Sequence, residues 1–513
     1  MSEFRRYVRN ALVLVGASLL MRSVSRAFNA YVSTKIGAEG MGLFSLIMSV
    51  YGFAVTFATS GINLAVTRLV AEALGRGENG RVRLILRRAV GYALFFGGIA
   101  SVALFFGASA IGTGALGDVR TVPSLRLLAC SMVPIALSSV FSGYFIGVRR
   151  VYRNALTQLF EQGVRIGLTV FGLLALAPNG IEWACLALVG GSALAEFCSF
   201  FFLFIQYLFD RHRHFRNTRV PSNGKILPDL LRISVPVAAS AYVRSGLVTL
   251  EHILIPFCLA LGAASRSEAL ASYGVLHSMA IPMLLYPTAV SSAFSGLLVT
   301  EMAESRARGE VRRIRYMTER ALSFTLIFGI GCAGLLLSFA PALGEALYNS
   351  EEAGRYIALL APVAAVMYLD TTVDNILKGL GYQVYSMGVN IADSALSILM
   401  VLLFLPRMGA DGYVLVVILA EVFNFSCSVL RLLRATSFRL PLLRFLAAPL
   451  VAVIGATTFA KMLFGTLPLA LAITLTALLY LALLLPLGCF LPADLSWLGT
   501  LFRRPAKSGA ETR

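Results

Sequence analysis

Five arginines stand where a lipid-facing helix should carry none. Arg22 and Arg26 fall inside the apolar run from Ala11 to Ile36, and Arg68, Arg165 and Arg244 fall inside three further runs of membrane-spanning character. An ionised side chain at membrane depth costs roughly 2.5–3.5 kcal/mol even on insertion scales, so it turns to the bundle interior or to a water-filled cavity. Arginine cannot shed its charge to lower that cost. Arg22 lies about twelve residues into its run, roughly 18 Å along a helix, and Arg26 follows one turn later on the same face. Two guanidinium forks on one wall suit a pyrophosphate, whose oxygens take charge-assisted and often bidentate hydrogen bonds. The competing reading is an interhelical salt bridge to Glu161 or Glu196. Arg68 has Glu72 four residues on, and Arg165 has Glu161 four residues back, so a local ion pair competes with anion binding at both. Arg244, with Glu251 and His252 at spacings that keep them on one side, would give the second half of the chain its own phosphate contact.

The acids of the second half make a different chemistry. Asp370 and Asp374 are one helical turn apart, with Lys378 a further turn on. Asn390 with Asp393, and Glu421 with Asn424, follow in the next two apolar runs. Together with Glu251, these carboxylates and amides are hard-ligand material for a sodium ion or a proton relay. Hydrogen-bonded packing between helices is the plainer alternative. The seven cysteines lie in apolar runs without metal-ligand spacing, so no metal site, disulfide framework or bound cofactor is expected.

These side chains need a membrane bundle to hold them. Hydrophobic residues make up 58% of the chain and charged residues 14%, with a mean hydropathy of +0.79, which excludes an ordinary soluble domain. The chain resolves into about fourteen apolar stretches, each near or above the roughly 20 residues a spanning helix needs. They fall near 10–34, 42–71, 88–111, 123–147, 155–177, 183–208, 229–258, 271–298, 320–341, 355–378, 386–405, 412–432, 443–464 and 467–489. The first is too long for a cleavable signal and is expected to stay as a helix. Basic residues crowd alternate connections. These hold Arg5, Arg6 and Arg9; Arg76 to Arg88; Arg149, Arg150 and Arg153; Arg211 to Lys225; Arg306 to Arg315; Arg431 to Arg444; and Arg503, Arg504 and Lys507. The other connections hold only Lys35, Arg120, Arg266, Arg355 and Arg407. The alternation predicts a multi-pass plasma-membrane protein with both termini cytoplasmic. The net charge of +18 is then a topology signal and a contact for anionic lipids, not a nucleic-acid surface. His212 and His214 sit in a basic connection and read as solvated. Pro134, Pro236, Pro282, Pro287 and Pro362 predict kinks, with Pro282 and Pro287 as hinge candidates.

The chain also repeats itself. VTRLVAEALGRGENGRVRLILRRA, from Val66, and VTEMAESRARGEVRRIRYMTERA, from Val299, both end a span, pass through Ala-Glu and Arg-Gly-Glu, and enter a basic amphipathic stretch. Val151-Tyr152 recurs as Val384-Tyr385. Six helices per copy keep both in one orientation, a parallel pseudo-two-fold repeat. The expected organisation is a six-helix lobe over 1–209, a basic linker over 210–228, a second six-helix lobe over 229–434, two added helices over 435–490 and a tail over 491–513.

The stretch SLLMRSVSRAFNAYVSTKIGAEGMGLFSLIMSVYGFAVTFATSGINLAVTRLVAE resembles the opening of the polysaccharide-exporter and stage V sporulation protein B group. GYFIGVRRVYRNALTQLFEQGVRIG and NILKGLGYQVYSMGVNIADS are similar to that group's later signatures. The group shares the MOP superfamily with the lipid II flippase MurJ and the MATE drug exporters. The resemblance implies an all-α polytopic fold with two lobes around a central cavity, plus two C-terminal helices as in MurJ. It implies transport of a lipid-linked oligosaccharide, including peptidoglycan precursors, from inner to outer leaflet. Arg22 falls where such proteins carry an arginine in the first helix. Some of these flippases place a sodium site among helices seven, eleven and twelve; the Asn390–Asp393 spacing here is shorter than the one-turn arrangement that site uses. The expected protein is a monomeric transporter whose partners are an anionic lipid-linked glycan and membrane lipids. A MATE-type cation exporter is the alternative, although its cavity should favour carboxylates and aromatics. A membrane glycosyltransferase or polymerase is the third reading. No connection on the sparsely charged side exceeds about fifteen residues, too few for paired catalytic carboxylates, so the chain is not expected to be an enzyme.

Overall fold

A computed structural model describes residues 2–214, 226–262, 265–438, 443–463 and 467–489. The side chains of 2–20 and of Arg22 are outside the described residues, as are most of the basic linker, with Arg216, Arg219, Lys225 and the side chain of His214, and the tail with Arg503, Arg504 and Lys507. The chain is all helix among the described residues, and ten helices are long and apolar enough to cross a membrane. It is a multi-pass membrane protein, as the apolar runs predict.

The elements are α1 (Ser2–Thr59), α2 (Ile62–Gly75), α3 (Asn79–Ser109), α4 (Val122–Gly147), α5 (Tyr152–Leu176), α6 (Ile181–His214), α7 (Ile226–Ala260) and α8 (Arg266–Gly274). They continue with α9 (Ile281–Leu285), α10 (Thr288–Ala307), α11 (Val311–Tyr348), α12 (Glu351–Gly379), α13 (Gln383–Thr436), α14 (Ala448–Leu463) and α15 (Leu469–Leu484). Helices α1 and α13 each consist of two limbs, broken at Gly37 (φ 70°) and Gly409 (φ 58°). Both glycines lie in gaps between predicted spans, and each takes a left-handed backbone angle that a Cβ disfavours.

Two predicted spans are not continuous helices. The run over 42–71 breaks where Ser60 and Gly61 take positive φ, leaving α2 as a separate helix. The run over 271–298 becomes α8, a π-helical turn (Val275–Ala280), α9 and α10. Pro282 lies in the first turn of α9 and Pro287 caps α10, places where a missing N–H costs least.

Contacts collect the chain into two compact units. One joins Tyr31–Ser278 with Ser394–Tyr413; the other joins Met1–Ala30, Met279–Asp393 and Val414–Arg513. In the first, α2, α3, α4 and α6 pack through small residues. Thr67 donates to the Gly143 carbonyl at 3.1 Å and Asn63 to that of Ser139 at 3.2 Å. A Cβ on Gly42 would run into the Leu270 carbonyl, and one on Gly274 into that of Ala38, so two glycines let α1 and α8 cross in backbone contact. Asp210, 1% exposed, receives Tyr144 Oη at 2.7 Å and is ion-paired with Arg150 and Arg153. In the second unit, α11 and α12 pack closely, Gly329 lying against Ala365. Helices α14 and α15 dock on α11, where Tyr480 fits against Gly331 and donates to the Ile327 carbonyl at 2.8 Å.

Candidate functional site

The arginines separate by what answers their charge. Arg68 on α2 bonds Glu72 at 2.8 Å, and both side chains are exposed. Arg165 on α5 pairs with Glu161 one turn back and reaches Glu196 on α6 at 3.7 Å. Ser199 donates to the other Glu161 oxygen at 3.0 Å. The two glutamates named as alternative partners for Arg22 and Arg26 thus converge on Arg165. Arg26 is half-buried near Tyr348. The Arg22 side chain lies outside the described residues; its backbone continues α1 one turn before Arg26.

Arg244 is different. It lies midway along the 35 residues of α7, it is exposed, and among the described residues it has neither acid partner nor hydrogen bond. In a membrane bundle that combination demands water or an anion, because lipid offers the guanidinium nothing.

The predicted ion-coupling residues fall into both units. Glu251 on α7 accepts from Ser397 on α13 at 2.5 Å, beside a group of which the sequence singled out His252 alone. In that group the His252 and His277 rings lie 4.2 Å apart and the Tyr273 hydroxyl is 3.1 Å from His252 Nδ1. The remaining five belong to the other unit. Asp374 pairs with Lys378 at 2.5 Å, as the one-turn spacing predicts. Asp370 lies within electrostatic reach of Asp374 and Asp393, and Glu421 within reach of Asp370 and Asp393. Asn390 donates to the Ser386 carbonyl at 2.8 Å and receives Asn424 at 3.5 Å. Asp370 Oδ1 is buried without a partner among the described residues. No three acid, histidine or cysteine side chains among them are arranged to hold a metal ion. What they can do is share and pass a proton, or lend one or two oxygens to a monovalent cation.

One polar clasp escaped sequence reasoning. Arg120 joins Asp118 (2.7 Å) to Glu39 (2.9 Å), Ser267 donates to Glu39 at 2.6 Å, and Arg266 reaches the Leu116 carbonyl. Three connections far apart in sequence meet there, and only the Asp-x-Arg spacing was visible beforehand. Burial pushes the Asp118 carboxyl up, but the hydrogen bonds and charge of Arg120 outweigh it and hold the group below its ordinary value. The stabilisation is therefore full above that ordinary value, near 3.8, and is lost as pH falls through the depressed one. Asp118→Asn should cost about 2 kcal/mol at neutral pH, the size of a charge-assisted bond. The native chain should lose melting temperature below about pH 4 as this carboxyl takes its proton, and the mutant should lack that part of the acid sensitivity. Parallel thermal melts in detergent at pH 7 and pH 3.5 check this; identical acid losses in both proteins would remove the clasp as their cause.

A family model described as "Polysaccharide biosynthesis protein" matches residues 7–294. Stage V sporulation protein B of Bacillus subtilis (strain 168) is 26% identical over 421 residues, 81% of each chain. Among solved structures, the lipid II flippase MurJ in an inward closed conformation superposes with a TM-score of 0.66 at 15% identity, covering 92% of this chain and 98% of that one. An inward-facing multidrug resistance MATE family transporter of the MOP superfamily gives 0.64 at 16% identity, covering 82% and 96%.

Proposed function

We propose a cargo for a chain that belongs to the polysaccharide biosynthesis protein family and is a transporter of the MOP superfamily: a polyprenyl-pyrophosphate-linked oligosaccharide, moved from the inner to the outer leaflet. The observation that carries this reading is Arg244, an exposed guanidinium at the centre of a spanning helix, without an acid partner among the described residues. A guanidinium is the forked donor a pyrophosphate takes, and the sequence offers two more one turn apart on α1, Arg22 and Arg26. Arg68 and Arg165 join the set by exchanging their glutamate partners for the arriving anion. In this picture two six-helix lobes alternate in exposing the bound head group while the lipid tail stays in the bilayer. A negative-inside potential helps expel the anion, by about 2.3 kcal/mol per charge per 100 mV. The carboxylate group of α12 and α13 couples the cycle to a proton or sodium ion.

The test is complementation of a bacterial strain depleted of its lipid II flippase, with a leaflet-accessibility assay on proteoliposomes carrying lipid II or other polyprenyl-pyrophosphate glycans. Protein-dependent appearance of head groups outside supports the reading. If none of these lipids moves while organic cations are extruded, the MATE-type alternative replaces it. The carboxylates around Asp370 are what favours that second reading.

A further inference from the structure

A second basic feature stands apart from the spanning arginines. Arg87 and Arg88 on α3 overhang a cavity of about 590 Å³ walled by Leu84, Tyr92, Phe95 and Phe96 of α3 and by Leu227 and Leu231 from the first turns of α7. Arg81 fixes the start of α7 against α3 through Asp229 (3.5 Å) while also holding Glu78 (3.0 Å). Among the described residues neither Arg87 nor Arg88 has an acid partner or hydrogen bond, and both are exposed. The internal repeat sharpens the contrast. Aligning Arg76-Gly77-Glu78 on Arg308-Gly309-Glu310 places Arg315 opposite Arg83, Arg320 opposite Arg88 and Glu319 opposite Arg87. In the second copy Arg315 and Glu319 pair at 3.0 Å. In the first copy the acid is replaced by a further cation, so the positive charge is left open.

We infer that this groove is a binding site for a resident anionic phospholipid of the leaflet that faces the basic connections. The two guanidiniums take the head-group phosphate, and the Phe95, Leu227 and Leu231 surfaces take the upper acyl chains. Phe95 is 62% exposed and Leu227 44%, so the groove opens sideways onto lipid rather than toward an enclosed chamber. A soluble anion would leave those apolar walls unfilled; a zwitterionic lipid brings the same phosphate but sets a cation of its own beside the guanidinium pair. Gly91 forms part of the lining, and a Cβ there would meet nothing within 4 Å, so the helix accepts a side chain that fills the groove.

The experiment titrates the full-length protein in detergent with phosphatidylglycerol or phosphatidylcholine of identical chains and reads bound lipid by native mass spectrometry. The wild-type chain should prefer phosphatidylglycerol. Arg87→Ala with Arg88→Ala should weaken that binding roughly tenfold to thirtyfold, as expected for two interfacial cations. Gly91→Leu, which keeps both arginines, should weaken it comparably. Arg76→Ala with Arg312→Ala removes the same charge from exposed sites elsewhere and should leave binding unchanged. Equal loss in that control pair, or equal binding of both lipids by the native chain, would overturn the site. So would capture of a polyprenyl pyrophosphate in preference to phosphatidylglycerol, which would give the groove to the cargo.

Discussion

Alanine at Arg244 should give a chain that folds and inserts at least as well as the native one yet moves almost no lipid-linked pyrophosphate. Removing one member of a buried ion pair strands the other and lowers stability. Arg244 strands none among the described residues. Its removal also relieves the roughly 2.5–3.5 kcal/mol that a central arginine adds to insertion. The melting temperature should therefore hold or rise. Translocation should fall by roughly thirtyfold to a hundredfold or more, the factor that corresponds to losing 2–3 kcal/mol of charge-assisted hydrogen bonding. Lysine at the same position keeps the charge and loses the fork, so it should recover only part of the rate. Arg22→Ala should show the same signature from the first helix. Arg165→Ala should differ, because it leaves Glu161 and Glu196 uncompensated and should lose folded protein along with activity. The leaflet assay, run beside detergent melts, separates the two classes. Native flipping by Arg244→Ala would refute the pyrophosphate clamp.

The contrast between Arg244 and Arg165 also marks where sequence reading stops. Period and hydropathy located the helices, because a membrane forces every backbone N–H and C=O into intrahelical bonds and leaves composition to announce the element. The same signal could not announce the break at Ser60–Gly61, since apolar residues continue through it and only the backbone turns. The four-residue spacings of Arg68–Glu72 and Asp374–Lys378 were legible because a helix makes such neighbours by geometry alone. Contacts between helices were not. Glu196 meets Arg165 because α5 and α6 lie side by side, and nothing local records it. Asp210, which begins the basic linker in a reading by charge, is instead buried beneath Tyr144, Arg150 and Arg153 near the end of α6. Glu39 and Arg120 are likewise joined by packing alone.

The acids of α12 and α13 yield the second large effect. Asp370→Asn preserves the shape of the side chain and removes one charge from a group in which Asp370, Asp374, Asp393 and Glu421 act on one another. Asp374 is answered by Lys378 at 2.5 Å. If these carboxylates were simply packing, the isostere would raise stability by lessening like-charge repulsion and would leave transport unaltered. If they hold the coupling proton or sodium ion, the substitution should also cut gradient-driven transport about tenfold or more while downhill exchange persists. The separation of driven from downhill movement is the informative readout, because a damaged fold loses both together. Asp393→Asn on the neighbouring helix should act in the same direction, and the double mutant should be little worse than either, since both residues serve one site. Proteoliposomes with imposed proton or sodium gradients distinguish the coupling ion. Unchanged gradient dependence in both single mutants would leave the group a packing feature, with the membrane potential acting on the anionic cargo as the remaining driving force.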